Sequence, residues 1–157
     1  MPAEEQFAPE GILRVLNAHE VRYIVIGGFA AAAHGVIRAT QDLDVAVERS
    51  WDNAERLAQA LEELESVDAT GERTPWTREV LVRREDRRVA TLHGQLHILH
   101  RVDGIPSFSE FEPPLVLRLG DLEVPVASRA DVRRMKERAA RPKDKVDLGE
   151  LDALDEG

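Results

Sequence analysis

The chain contains no cysteine, which excludes disulfides and thiolate metal sites. Aromatic residues make up 4% of its 157 residues, too few for an obvious platform on which single-stranded nucleic acid would stack. No apolar run approaches the ~20 residues that span a bilayer. The opening stretch MPAEEQFAPEG is acidic and has no basic region followed by an apolar one. It does not read as a signal peptide, so a cytoplasmic protein with no membrane partner is expected. Basic charge is also in deficit: the net charge is −9. Non-specific coating of duplex DNA, which needs a broad basic surface, is therefore not expected.

The length fits one domain, residues 1–157, and can bury a core without staples. The core is expected over about 10–126, with C-terminal helices over about 128–155. Ile12, Leu13, Val15 and Leu16 form a stripe at helical spacing within 10–20. Tyr23-Ile24-Val25-Ile26 is short, apolar and β-branched, a buried strand stopped by Gly27-Gly28. Phe29 to His34 is alanine-rich and favours helix, ending at Gly35. Asp42 to Val47 alternates strictly and predicts a strand; Trp51 to Leu64 predicts an amphipathic helix capped by Ser50 or Asp52. Strands are expected at 79–83, 88–92, 95–99, 115–119 and 122–126, the last two joined at Gly120-Asp121. Pro125 suggests an edge strand. Ser128 is expected to cap a basic helix reaching about Ala140, and Pro142 to start a last one. The pattern is α+β (α/β): a small mixed β-sheet with helices packed on it.

Two features carry chemistry. Asp42 and Asp44, two apart on a strand, point the same way about 6.5–7 Å apart at Cα. They can share one cation or two, and hard oxygen ligands select Mg²⁺ or Mn²⁺, usually completed by phosphate oxygens and water. Such a pair also occurs as an ordinary solvent face. Upstream, a buried strand that ends in Gly27-Gly28 and opens directly into a helix presents bare backbone N–H groups, a ready phosphate site. A tight turn without ligand is its bland alternative.

Strand, Gly-Gly, helix, then Arg38-x-Thr40-x-Asp42-x-Asp44 resembles the polymerase-β-like nucleotidyltransferase superfamily. The segment VRYIVIGGFAAAAHGVIRATQDLDVAV, together with ASRADVRRMKERAARPKDKVDLGELDAL, is similar to its small bacterial branch, which includes AbiEii-type toxins of type IV toxin–antitoxin systems. The resemblance implies a nucleotidyltransferase fold and transfer of a nucleoside monophosphate from an NTP to an acceptor hydroxyl. Gly27 and Gly28 would bind phosphate, and Asp42 and Asp44 would hold Mg²⁺ or Mn²⁺. Lys136 would meet the triphosphate, and Arg38 and Thr40 match the approach to the acidic strand. The acceptor could be protein, tRNA or a small molecule, and a cognate toxin or antitoxin could be the partner.

The pattern breaks at one place. A third acid is expected in the strand 95–99, and His97 stands there. Histidine can act as a base or ligate Mn²⁺ or Zn²⁺, but it is a poor Mg²⁺ ligand. His97 is thus a candidate catalytic residue, and the alternative is a degenerate relative that binds nucleotide or a partner with weak or no turnover. An interaction module in a two-gene system is a third reading. His93, His97 and His100 also raise a transition-metal site, which needs a turn to bring them together. Arg83, Arg84, Arg87 and Arg88 are either a solvated turn or a contact to an acceptor nucleic acid or phosphate. Arg133, Lys136, Arg141 and Lys143 can pair locally with Asp144 and Asp147.

Overall fold

Tyr23–Ile26 form strand β1 and are buried along the whole length, as an unbroken apolar run requires. In the computed structural model, which describes residues 8–36, 41–73, 75–139 and 141–156, β1 lies inside a six-stranded sheet. The other strands are β2 (Asp42–Val47), β3 (Arg87–Thr91), β4 (Gly94–Leu99), β5 (Leu115–Leu119) and β6 (Leu122–Val126). Their order in space is β3-β4-β2-β1-β6-β5. β2 is antiparallel to β1 and parallel to β4, and β6 is parallel to β1. The sheet is mixed, and the fold class is α+β, as the residue pattern implies.

Helices α1 (Pro9–Ala18) and α3 (Trp51–Glu63) touch each other and lie against the sheet. Their apolar stripes, Ile12, Leu13 and Leu16 with Leu57 and Leu61, are fully buried. Leu43, Val45 and Val47 of β2 join the same core. Helix α2 (Gly27–Ala33) follows β1 without a linker and contacts α5 (Arg129–Ala139), which turns sharply into α6 (Pro142–Glu156). Both anticipated serine caps form: Ser50 Oγ accepts from Asn53 N at 3.2 Å, and Ser128 Oγ accepts from Asp131 N at 3.1 Å.

Asn53, 1% exposed, stitches α3 to the strand ends. Its Oδ1 accepts from Arg22 N at 2.7 Å, and its Nδ2 donates to Arg22 O at 3.0 Å and Glu48 O at 2.8 Å. Asn53→Leu would take the partner from two part-buried backbone groups, Arg22 N and Glu48 O, while Arg22 O keeps Glu48 N at 3.2 Å. A loss of about 2–4 kcal/mol is expected in urea unfolding; a loss below ~0.5 kcal/mol would show that water replaces these bonds.

Two expectations change. Residues 79–83 are not a strand: helix α4 (Arg78–Leu81) occupies them, with Thr77 Oγ1 accepting from Val80 N at 3.3 Å. An apolar run this short does not distinguish helix from strand, and the threonine cap decides it. Pro125 is not on an edge either, because β6 lies between β1 and β5. Ala127 N donates to Val25 O, and Val25–Val126 is the single registered β1–β6 pair. Pro125 lies two residues earlier, so its nitrogen faces β1 where that ladder has ended and no donor is required. Among the described residues no helix is long and apolar enough to cross a membrane.

Candidate active site

Sheet register assembles the site. Asp42 and Asp44 are half-buried on one face of β2, between inward-facing Leu43 and Val45. Ile26, the last residue of β1, pairs with Asp44, so the chain leaving β1 turns directly over that carboxylate. Gly27 makes this turn at φ +73°, where an L side chain is strained. A Cβ there would stand 2.1 Å from Asp44 Oδ2. Glycine is thus required by Asp44 itself, besides any ligand that approaches the main chain.

β4 runs parallel to β2 and sets His97 beside Asp44 in register, with Nδ1 3.2 Å from Oδ1. On β3, Arg88 pairs with His97, and its guanidinium lies 3.5 Å from Asp42 Oδ2. The two acids therefore meet a ring nitrogen and a guanidinium on the sheet surface.

The opposite wall is the α5–α6 corner. Lys136 Nζ lies 2.6 Å from Asp147 Oδ2 and 3.5 Å from Asp144 Oδ1. Asp144 Oδ2 also accepts from Arg141 Nε at 2.8 Å and Arg141 N at 3.1 Å. Burial alone would push the Asp144 carboxyl up. The Arg141 hydrogen bonds and the charges of Arg141 and Lys136 outweigh it and hold the group below the usual aspartate range. Its contribution to stability is therefore present at neutral pH and lost as pH falls below that range. Lys136 lines the cleft, but two buried carboxylates already neutralise it. Lys136→Met should cost about 3–5 kcal/mol, because it removes the cation shared by two buried carboxylates, of which Asp144 keeps its Arg141 bonds. Chemical denaturation of Lys136→Met beside Lys136→Met/Asp144→Asn/Asp147→Asn checks this; the triple variant should recover much of the loss.

These walls enclose a cleft of about 540 Å³, within the range of small-molecule sites. Of the anticipated residues, Gly27, Gly28, Asp42, Asp44, His97 and Lys136 all line it. Arg38 and Thr40 lie outside the described residues. Arg101 and Asp86 line it without having been anticipated. Arg101 follows β4 by two residues, and a lone arginine in a loop carries no pattern that would single it out.

The three histidines do not form a metal centre. The His93 ring packs against Gly11, where a Cβ would stand 2.4 Å from His93 Cγ. His97 faces the cleft. His100 is half-buried, and that burial holds its pKa below the ordinary histidine value. Among the described residues no group of three or more histidine, aspartate or glutamate side chains is placed to hold a metal ion.

A divalent ion would accordingly find two carboxylates. Gly27 leaves room for the Asp44 oxygen at the turn, and both acids border the cleft. This donor set fits Mg²⁺ or Mn²⁺ that draws its remaining ligands from phosphate oxygens and water.

No family profile matches the chain, and no curated protein sequence matches it. A solved structure does: "a putative nucleotidyltransferase (TM1012)" from Thermotoga maritima superposes with a TM-score of 0.56 at 13% identity, covering 100% of both chains. The chain therefore has a nucleotidyltransferase-like fold.

Proposed function

We propose that the protein is a metal-dependent nucleotidyltransferase that moves a nucleoside monophosphate from an NTP to an acceptor hydroxyl. The observation that carries this reading is the Asp44 carboxylate seated beneath the Gly27 turn, with Asp42 on the same strand face. Gly27 and Gly28 have no side chains, so phosphate oxygens can approach the main chain beside the two acids. Mg²⁺ or Mn²⁺ between Asp42 and Asp44 would neutralise triphosphate charge and orient the α-phosphate.

In the transfer itself, the acceptor oxygen bonds to the α-phosphorus, the α–β bridging P–O bond breaks, and pyrophosphate leaves. The acceptor proton needs a base. With Nδ1 turned toward Asp44, His97 Nε2 is the ring nitrogen left to take it. The resemblance to AbiEii-type proteins, and with it a cognate toxin or antitoxin partner, belongs to this proposal. Its support is the order of Gly27-Gly28, Asp42-x-Asp44 and Arg141-Pro142-Lys143-Asp144 along the chain.

A second reading, binding without turnover, draws on the same histidine, since Asp44 is engaged by a ring nitrogen where the family pattern has an acid. Labelled NTPs with Mg²⁺ or Mn²⁺ and candidate acceptors separate the two. Turnover by the native chain that falls in His97→Asp supports catalysis through histidine. An inert native chain that gains transfer in His97→Asp supports the second reading. No transfer by either chain, with no NTP binding, overturns both.

A further inference from the structure

The sheet has two edge strands, β3 and β5, and they are finished differently. The segment after α3 covers β3: Val67 and Ala90 exchange both backbone hydrogen bonds at 3.0 Å, and Leu92 N donates to Leu64 O at 3.1 Å. Arg87 and Arg88 add charge to that strand. Covering and charge are both ordinary ways to blunt an edge. β5 has β6 on one side and, among the described residues, no strand or bridge on the other. It runs without a bulge through Leu115-Val116-Leu117-Arg118-Leu119. Leu115 is 39% exposed and Val116 56%.

Register decides which backbone groups of β5 face outward. Ala127 N donates to Val25 O, so Pro125 and Glu123, in the same phase of β6, turn their backbone edge away from β5. Leu122, Val124 and Val126 therefore bond across to Leu119, Leu117 and Leu115. The turn at Gly120-Asp121, with Gly120 at φ +63°, closes on the Leu119–Leu122 pair in that phase. What remains on the outer edge is the N–H and C=O of Val116 and of Arg118. Pro114, which has no N–H, ends this edge on one side, and the turn ends it on the other.

Such an edge accepts an added strand, and the same strand of a second copy fits it. With a two-fold axis at Leu117, Val116 of each chain exchanges both backbone bonds with Arg118 of the other, and every outward group is used. On one face Leu117 then lies opposite its own copy, and Leu115 opposite Leu119 of the second copy. Leu117 and Leu119 are half-buried beside buried Leu122, Val124 and Val126, so the pairing extends an apolar surface that already exists. On the other face each Arg118 stem crosses Val116 of the second copy. Neighbouring registers are poorer. An axis at Arg118 opposes two guanidinia, and an axis at Val116 sets Arg118 against Pro114. Charge also favours a like partner. The chain carries a net −9, but this edge is locally balanced: Arg118 is in register with Glu123, and Asp121 is bonded by Arg14. Two acidic copies can meet here without opposing their charge, and a strongly charged partner gains nothing.

We propose that the protein forms a two-fold homodimer in which β5 pairs antiparallel with β5 of a second copy, joining the two sheets into one. No residue of β5 or β6 lines the cleft, so both clefts stay open and the dimer is independent of the reaction they carry. The contact is short, so the copies exchange reversibly, at about micromolar concentrations or above.

Sedimentation equilibrium of the full chain over about 5–500 μM is the test, and the average mass should climb from one chain towards two. Val116→Pro removes an outward N–H and no bond to β6, where position 116 already faces Pro125. It should keep its circular dichroism and stay at the mass of one chain. Val116→Lys, which sets an ammonium opposite Arg118 of the second copy, should weaken association at least about tenfold, and it carries the test if Val116→Pro does not fold. Val146→Lys, at an exposed apolar position on α6, should associate as the native chain does. The chain has no cysteine, so Leu117→Cys reads the register. Opposed non-bonded pairs have Cα atoms about 4.5 Å apart, within disulfide reach, and diamide should link two chains. Arg118→Cys, diagonal to its copy, should link at least about tenfold more slowly. A native chain that stays monomeric throughout, a folded Val116→Pro or Val116→Lys that associates as tightly as the native chain, loss of association in Val146→Lys, or linkage in Arg118→Cys without linkage in Leu117→Cys would each overturn the proposal.

Discussion

Asp42→Asn should lower nucleotidyl transfer by on the order of 10³-fold while leaving the fold intact. The carboxylate is half-buried on β2 and lies beside Asp44 on the same face. Its salt link to the exposed Arg88 is long, at 3.5 Å. Such a pair contributes ~1 kcal/mol at most, and removing one of two like charges offsets part of that. The midpoint of thermal unfolding should therefore move by only a few degrees. Transfer is different, because an amide cannot replace a carboxylate as a hard-cation ligand. Several kcal/mol of charge stabilisation in the transition state goes with it, and each ~1.4 kcal/mol is a factor of ten in rate. Titration calorimetry should show NTP binding weakened in the presence of Mn²⁺ and little altered in its absence. Asp44→Asn should lose activity to a similar extent and should also release the His97 ring, which then has no carboxylate partner at Nδ1. Transfer that survives within tenfold in both variants would mean that the two acids are a solvent face and nothing more.

Much of this arrangement is legible along the chain because it depends on periods and punctuation. The strict alternation of Asp42 to Val47 fixes which side chains share a face, and β2 covers those very residues. Gly27-Gly28 after a β-branched run marks where β1 must stop. What is not legible is pairing between distant elements. The juxtaposition of Asp44 with His97 comes from parallel register between β2 and β4, across 53 positions of sequence. No local pattern encodes that register. Lys136 shows the same limit from another side. Its place on a basic helix suggests a cation available to phosphate, and local pairing is the competing expectation. The sharp turn at Arg141 and Pro142 brings Asp144 and Asp147 back onto it, so the lysine borders the cleft already paired. Residues 79–83 mark the weakest ground for pattern reading. The apolar run there is too short to show a period, and one threonine cap turns it into α4.

Gly27→Ala should damage both stability and transfer, and its effect should divide into two separable parts. The first is backbone strain. At φ +73° an alanine sits in the left-handed region, at about 1–2 kcal/mol. The second is steric and belongs to the site. The new Cβ would stand 2.1 Å from Asp44 Oδ2 and 3.0 Å from Asp44 Cγ, so the carboxylate or the turn must shift. Forced shifts of this kind typically cost a further 1–3 kcal/mol. The sum, roughly 2–5 kcal/mol, corresponds to a fall in unfolding midpoint of about 4–20 °C at this chain length. Transfer should be lost at temperatures where the variant is still folded, because Asp44 is the group that moves. The double variant Gly27→Ala/Asp44→Ala distinguishes the two parts. Removing the carboxylate relieves the clash and leaves the strain, so the double variant should be less destabilised than the two single changes predict together. Activity should remain absent. Strict additivity of the two stability losses would mean that the turn and the acid do not touch, and would remove the contact on which the site is built.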